Sequence, residues 1–137
     1  MNHLDYPTVL LVEDNRADID LLKESFSILK LEVNLYAISE GNQVMDFLQK
    51  RGKYRNINKP DLIILDINLP GKNGFEILEE IRNDDPQINM PVVILTSSQH
   101  EEDILTAFKL HADAVLTKPS DFMEFTSLVK SISEKYL

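Results

Sequence analysis

The chain contains no cysteine, which excludes disulfides, thiol chemistry and cysteine-ligated zinc. Its apolar residues never run more than about five together, far short of the ~20 that a membrane-spanning helix requires. The N-terminus lacks both a basic stretch and an apolar segment of signal-peptide length, because Asp5 and Pro7 interrupt it early. Basic residues are in short supply: 14 Lys and Arg face 23 Asp and Glu, a formal charge of −9. Binding to a nucleic-acid backbone needs an excess of Lys and Arg to displace counterions, so no nucleic-acid partner is expected. An anionic membrane surface is disfavoured for the same reason. What the sequence does have is enough apolar material for one core: 43% of 137 residues, in a chain of single-domain size. A chain of this length buries roughly two-thirds of its unfolded surface. The expectation is one acidic, soluble, cytoplasmic domain spanning 1–137.

Two kinds of segment alternate along it. Short β-rich apolar runs stand at 8–12, 33–37, 62–65, 92–95 and 114–117, the signature of strands buried on both faces. Between them the apolar residues fall at helical spacing. The first helical stripe is Ile19, Leu22, Phe26 and Leu29. The second is Val44, Phe47 and Leu48, with Ser39 placed to cap it and Gly52 to stop it. A third carries Phe75, Leu78 and Ile81 between Asn73–Gly74 and Pro86, and a fourth carries Ile104, Leu105 and Phe108. The last runs Phe122, Phe125, Val129, Ile132, Tyr136. Five strands alternating with five helices predict an α/β doubly wound fold, a five-stranded parallel sheet covered on both faces. Ligands of such sheets bind beyond the carboxyl ends of the strands, where the strand order reverses. The irregular stretch 51–60 lies at the other end of the sheet.

The residues at those strand ends are Glu13 and Asp14, Asp66, Thr96, and Lys118 followed by Pro119. Singly, each has an ordinary structural account: acids as caps or solvated turns, Thr96 as a cap, Lys118 as a surface lysine laid on the sheet edge. Together they differ, because the topology brings Glu13, Asp14 and Asp66 into one crevice. Two carboxylates ~4 Å apart repel by ~4 kcal/mol at an effective dielectric of ~20. Three need protons or a cation to coexist at neutral pH. A hard divalent ion, Mg²⁺ above all, answers that need, since it takes a few carboxylates and keeps waters and a phosphate oxygen. With a lysine and a hydroxyl alongside, these are the components of phosphoryl transfer.

The runs VLLVEDN (9–15), LIILDINLPGKNG (62–74), VVILTSS (92–98) and LTKP (116–119) resemble the response-regulator receiver family over essentially the whole chain. The stretches FLQKRGKY (47–54) and TSSQHEEDI (96–104) are similar to the stand-alone receivers paired with phytochrome-type sensor histidine kinases. The resemblance implies the flavodoxin-like strand order 2-1-3-4-5 and a role in two-component signalling rather than catalysis on an independent substrate. It implies that Asp66 accepts a phosphoryl group from a kinase phosphohistidine. Asp14, Asp66 and the Asn68 backbone carbonyl would hold Mg²⁺, with Glu13 acting through a metal-bound water. Lys118 and Thr96 would bind the phosphoryl oxygens. Asn68 and Ser98 match positions that tune the lifetime of the acyl phosphate, the small Ser97 leaves room for a donor, and Pro119 matches a residue often preceded by a cis peptide bond.

One position departs from the family. Three residues before the lysine, where an aromatic usually reports phosphorylation by swinging inward, stands Val115. A signal would then pass through the loop after Thr96 and a shift of the fourth helix. With no output domain in 1–137, output is expected by protein contact through helix four, strand five and helix five, to a partner or a homodimer; the apolar end Tyr136–Leu137 favours the latter. The partner kinase would be phytochrome-like or hybrid. Two alternatives stay open: a receiver fold kept as a phosphorylation-independent binding module, and an aspartyl-phosphate phosphatase. The phosphatase needs a general acid two residues after Asp66, where Asn68 cannot serve. A flavin-phosphate binder would find its phosphate repelled by Glu13 and Asp14. His3, His100 and His111 lack metal-ligand spacing, and the turn holding Gly71 and Gly74 lacks the GKS or GKT of a phosphate loop.

Overall fold

In the computed structural model, which describes residues 5–84, 90–98 and 100–137, five strands form one sheet: β1 (Thr8–Val12), β2 (Asn34–Ile38), β3 (Leu62–Leu65), β4 (Val92–Thr96) and β5 (Ala114–Thr117). Their order is β2-β1-β3-β4-β5 and every pairing is parallel, as the alternation of runs and stripes required. Side chains of the central strands alternate between two cores. Leu10, Val12, Ile63, Leu65, Val92 and Ile94 face one side; Val9, Leu11, Leu62, Ile64, Val93 and Leu95 face the other. Covering both faces is what makes each strand an unbroken apolar run.

Helices α1 (Arg16–Ile28) and α5 (Phe122–Tyr136) cover the second face through Leu22, Phe26, Phe125, Val129 and Ile132. The first face is covered by α2 (Val44–Leu48), α3 (Gly74–Asp84) and α4 (Glu101–Lys109). Side-chain caps open three of them. Asn15 Oδ1 accepts from Asp18 N at 3.1 Å, Asn73 Oδ1 from Glu76 N at 3.0 Å, and Asp121 Oδ1 from Glu124 N at 2.8 Å.

Several expectations are corrected. Ser39 does not cap α2; the chain enters it through a 3₁₀ turn at Gly41–Gln43. Nor does Gly52 stop it. The helix ends in a Schellman motif with Lys50 at φ 56°, where Arg51 N bonds Asp46 O and Lys50 N bonds Phe47 O. Lys30 after α1 and His111 after α4 end their helices by the same pair of bonds. Gly52 instead begins a 3₁₀ turn, Gly52–Tyr54, which sets the Tyr54 ring 5.1 Å from that of Phe47 and so ties the 51–60 stretch to the core. On α4 only Ala107 is buried; Leu105 is 52% and Phe108 49% exposed. The small Ala107 lets α4 approach the sheet, and the large apolar residues ride beside it. Tyr136 is partly buried against the α1–α5 core, so its apolar character needs no second copy of the chain. No cis peptide bond occurs among the described residues, so Lys118–Pro119 is trans. His100 and His111 are exposed; His3 and Pro86 lie outside the described residues.

The register matters most for function. Val12 pairs with Leu65 and Thr96 with Thr117, so the residues just beyond these strands emerge side by side at one end of the sheet.

Candidate functional site

Glu13 and Asp66 each follow the last residue of a central strand. Their backbones are locked by Glu13 N bonding Ile38 O at 3.0 Å and Asp66 N bonding Val12 O at 2.9 Å. Both carboxylates are buried, 3% and 4% exposed, whereas Asp14 is open to solvent. Carboxylate oxygens of Glu13, Asp14 and Asp66 lie within 4.8 Å of one another. Glu13 Oε2 accepts from the backbone N–H groups of Asp14 at 3.1 Å and Asn15 at 3.2 Å. Asp66 Oδ1 accepts from Asn68 N at 3.1 Å. The loop that carries Asp66 is packed against the start of α3, and that approach requires Gly74. A Cβ there would overlap the Ile67 Cα and stand 2.6 Å from the Asp66 carbonyl oxygen.

Lys118 reaches in from the end of β5. Its Nζ stands 2.6 Å from Glu13 Oε1, 2.8 Å from Asp18 Oδ2 and 3.3 Å from Asp66 Oδ2. Burial alone would lower its pKa, but the hydrogen bonds to Asp18 and Glu13 and the charges of Glu13 and Asp66 outweigh that and raise it above the ordinary lysine value. It is therefore a fixed cation. Glu13 goes the other way from an ordinary ion-paired acid. Burial pushes its carboxyl up to about 7, against the pull of Lys118 and with the help of the neighbouring Asp66.

Thr96, the last residue of β4, is buried. Its Oγ1 accepts from Ser98 N at 3.1 Å and from the Asn68 side-chain amide at 3.5 Å. Asn68 thus links Thr96 to Asp66, through its amide on one side and its backbone N–H on the other. Ser98 Oγ donates to Asp103 Oδ2 on α4 at 2.6 Å. Val115 is half-buried and packs against the core beneath α2, α3 and α4, so no aromatic ring is available at that point.

The strand-end residues expected to converge do so: Glu13, Asp14, Asp66 and Lys118 by direct contact or proximity, Thr96 through Asn68. Two participants were missed. Asp18 bonds Lys118, and its signal was its place one helical turn after Asp14 at the start of α1. Asp103 holds Ser98, and its signal was the acidic run 101–103 that opens α4. The donor set fits a divalent cation. Three carboxylates converge with no sulfur or imidazole among them, a hard-oxygen set of the kind taken by Mg²⁺, Ca²⁺ or Mn²⁺, and one of them holds its proton to about pH 7 when no cation offsets the charge.

Comparison with known proteins points the same way. The family profile described as "Response regulator receiver domain" matches residues 9–130. Response regulator Rcp1 of Synechocystis sp. (strain ATCC 27184 / PCC 6803 / Kazusa) is 37% identical over 129 residues, 94% of this chain and 88% of that protein. The crystal structure of the phosphorylated cyanobacterial phytochrome response regulator RcpA superposes with a TM-score of 0.88 at 37% identity, covering 96% of this chain and 94% of the other. The Mn²⁺-bound form of Rcp1 gives a TM-score of 0.86 at 37% identity, with the same coverage.

Proposed function

Because the chain belongs to the response regulator receiver family, whose members act in two-component signal transduction, we propose that it accepts a phosphoryl group on Asp66 from the phosphohistidine of a phytochrome-type sensor histidine kinase in the cytoplasm. The observation that carries this reading is the buried Asp66 carboxylate, 3.3 Å from the Lys118 ammonium and grouped with two further acids.

Asp66 is the nucleophile. A lone pair on its Oδ forms the new O–P bond as the N–P bond of the phosphohistidine breaks, and the imidazole leaves with the bonding pair and takes a proton from solvent. Asp14, Asp66 and the Asn68 backbone carbonyl would hold Mg²⁺, with Glu13 acting through a bound water, and the ion would supply positive charge to offset the carboxylates and the phosphoryl oxygens. Mn²⁺ in the related Rcp1 supports a divalent ion here. Lys118 neutralises a phosphoryl oxygen, and the Thr96 hydroxyl, which accepts from its present partners, is placed to donate to another. Asn68, beside Asp66, stands where it can screen the acyl phosphate from attacking water. The chain is then a phosphorylated signal carrier that also loses its phosphoryl group by its own chemistry, without turnover of an independent substrate.

Output is by protein contact. Leu105 and Phe108 on α4 and Met123 on α5 are large apolar residues left exposed, which supports the α4–β5–α5 face as the surface for a target or a second copy. The central claim is tested with acetyl phosphate and Mg²⁺ followed by intact mass. A single phosphoryl adduct is expected on the wild type and none on a folded Asp66→Asn; absence from the wild type at saturating Mg²⁺ overturns it.

A further inference from the structure

Lys118 has three N–H donors, and in this structure three carboxylates meet them: Glu13 at 2.6 Å, Asp18 at 2.8 Å and Asp66 at 3.3 Å. A phosphoryl oxygen that binds Lys118 must therefore displace one of them. Glu13 is poorly suited to leave. Its side chain is 4% exposed, and its second oxygen is held by two backbone N–H groups. Asp66 is the group that carries the phosphoryl and stays beside it. Asp18 has 18% side-chain exposure, the most of the three acids, and stands in the first turn of α1, where its carboxylate can turn to water at least cost in solvation.

Resting on the phosphoacceptor reading above, we propose that Asp18 is a positioning residue that holds Lys118 in the resting state and yields it to the phosphoryl group. Two consequences follow from its charge and contact together. By drawing Lys118 toward α1, Asp18 weakens the hold of the lysine on Asp66 and adds negative potential beside the acidic cluster, which favours a divalent cation. By occupying a Lys118 donor and repelling anions, it opposes the phosphoryl group. Removing its charge should move the two affinities in opposite directions, each by about three- to tenfold for one unit charge at this range.

The test uses the full chain. Isothermal titration measures Mg²⁺ affinity alone, then beryllium trifluoride affinity at saturating Mg²⁺, for wild type, Asp18→Asn and Asp18→Glu, with circular dichroism confirming the fold. Asp18→Asn is expected to bind Mg²⁺ more weakly and beryllium trifluoride more tightly, and Asp18→Glu to return both toward wild type. Unchanged affinities overturn the proposal. So does a fall in both, which marks Asp18 as a mere fastener for Lys118. A wild type that binds Mg²⁺ but no beryllium trifluoride defeats the phosphoacceptor reading itself, and this proposal with it.

Discussion

Ser98 Oγ donates a 2.6 Å hydrogen bond to Asp103 Oδ2, while the Ser98 backbone N–H is bonded to Thr96 Oγ1 at 3.1 Å. One residue thus joins the hydroxyl at the end of β4 to the first turn of α4. A Thr96 hydroxyl drawn toward a phosphoryl oxygen should pull on the Ser98 N–H from which it accepts, and through Ser98 on the Asp103 bond. With Val115 unable to supply a ring, we predict that this pair of bonds carries the change from the site to α4. Asp103→Ala should bind beryllium trifluoride with Mg²⁺ as the wild type does, yet lose the accompanying change in amide hydrogen exchange across α4. A retained change in α4 would mean that another contact carries the signal. Val115→Tyr should leave partner binding of the phosphorylated form unchanged, and Thr96→Ala should abolish it.

The raised Glu13 carboxyl has a defined sign. Its pKa is about 7 in the fold against an ordinary 4.5, so the folded state binds this proton more tightly than the unfolded one. Stability from that proton is full below about pH 4.5 and is lost as the pH rises to about 7, by on the order of 3 kcal/mol. Urea titrations in EDTA at pH 5 and pH 7.5 should show the loss in wild type but not in Glu13→Gln. Saturating Mg²⁺ should remove most of it.

Cation affinity should follow the same proton. Because the ion must displace it, apparent Mg²⁺ affinity rises with pH up to about 7 and then levels, with a slope approaching tenfold per unit on the acid side. Calorimetry in two buffers of different ionisation enthalpy should show about one proton released per ion bound well below pH 7 and none well above it.

Gly74 holds the phosphoacceptor loop by having no side chain. Gly74→Ala sets a methyl against the backbone of Ile67 and Asp66, which neither can yield without moving the Asp66 carboxylate. A destabilisation of about 2 kcal/mol is expected, together with slower uptake of phosphoryl from acetyl phosphate. Thermal denaturation and intact mass measure the two effects.

Lys50 is a lysine where glycine is the usual choice, at φ 56°. Its side chain is exposed, so Lys50→Gly removes backbone strain without opening the core. An increase of about 0.5–1 kcal/mol in unfolding free energy is expected. An equal loss would show that the Lys50 side chain contributes more than its backbone costs.

How far these features could be read without coordinates depended on how many forces pointed one way. The central strands were legible because burial on both faces turns Val9–Val12 and Leu62–Leu65 into continuous runs. Edge strand β2 was placed one residue early, since Val33 has the better strand propensity but Asn34 pairs with Thr8. The stripe on α4 misled because burial followed residue size: Ala107 fits against the sheet, while Leu105 and Phe108 do not. In the site, Glu13, Asp14, Asp66, Thr96 and Lys118 were legible from strand ends alone. Asp18 was legible only in part: its place one helical turn after Asp14 puts it near the sheet end, but spacing does not say which acid of Asp18 and Asp20 faces that end and which faces water. Only the packing of α1 decides that.

Lys118 stands 52 residues from Asp66 and 100 from Asp18 along the chain. The second matches the separation across the α1–α5 packing, 101 residues between Ser25 and Thr126, and such contacts cost loop-closure entropy before they form. A chain in which β5 has not yet docked holds the acids without their cation, and its carboxylates repel one another unrelieved. Competence to bind a phosphoryl analogue should therefore appear only once β5 has docked, which refolding followed by beryllium trifluoride binding at saturating Mg²⁺ would show.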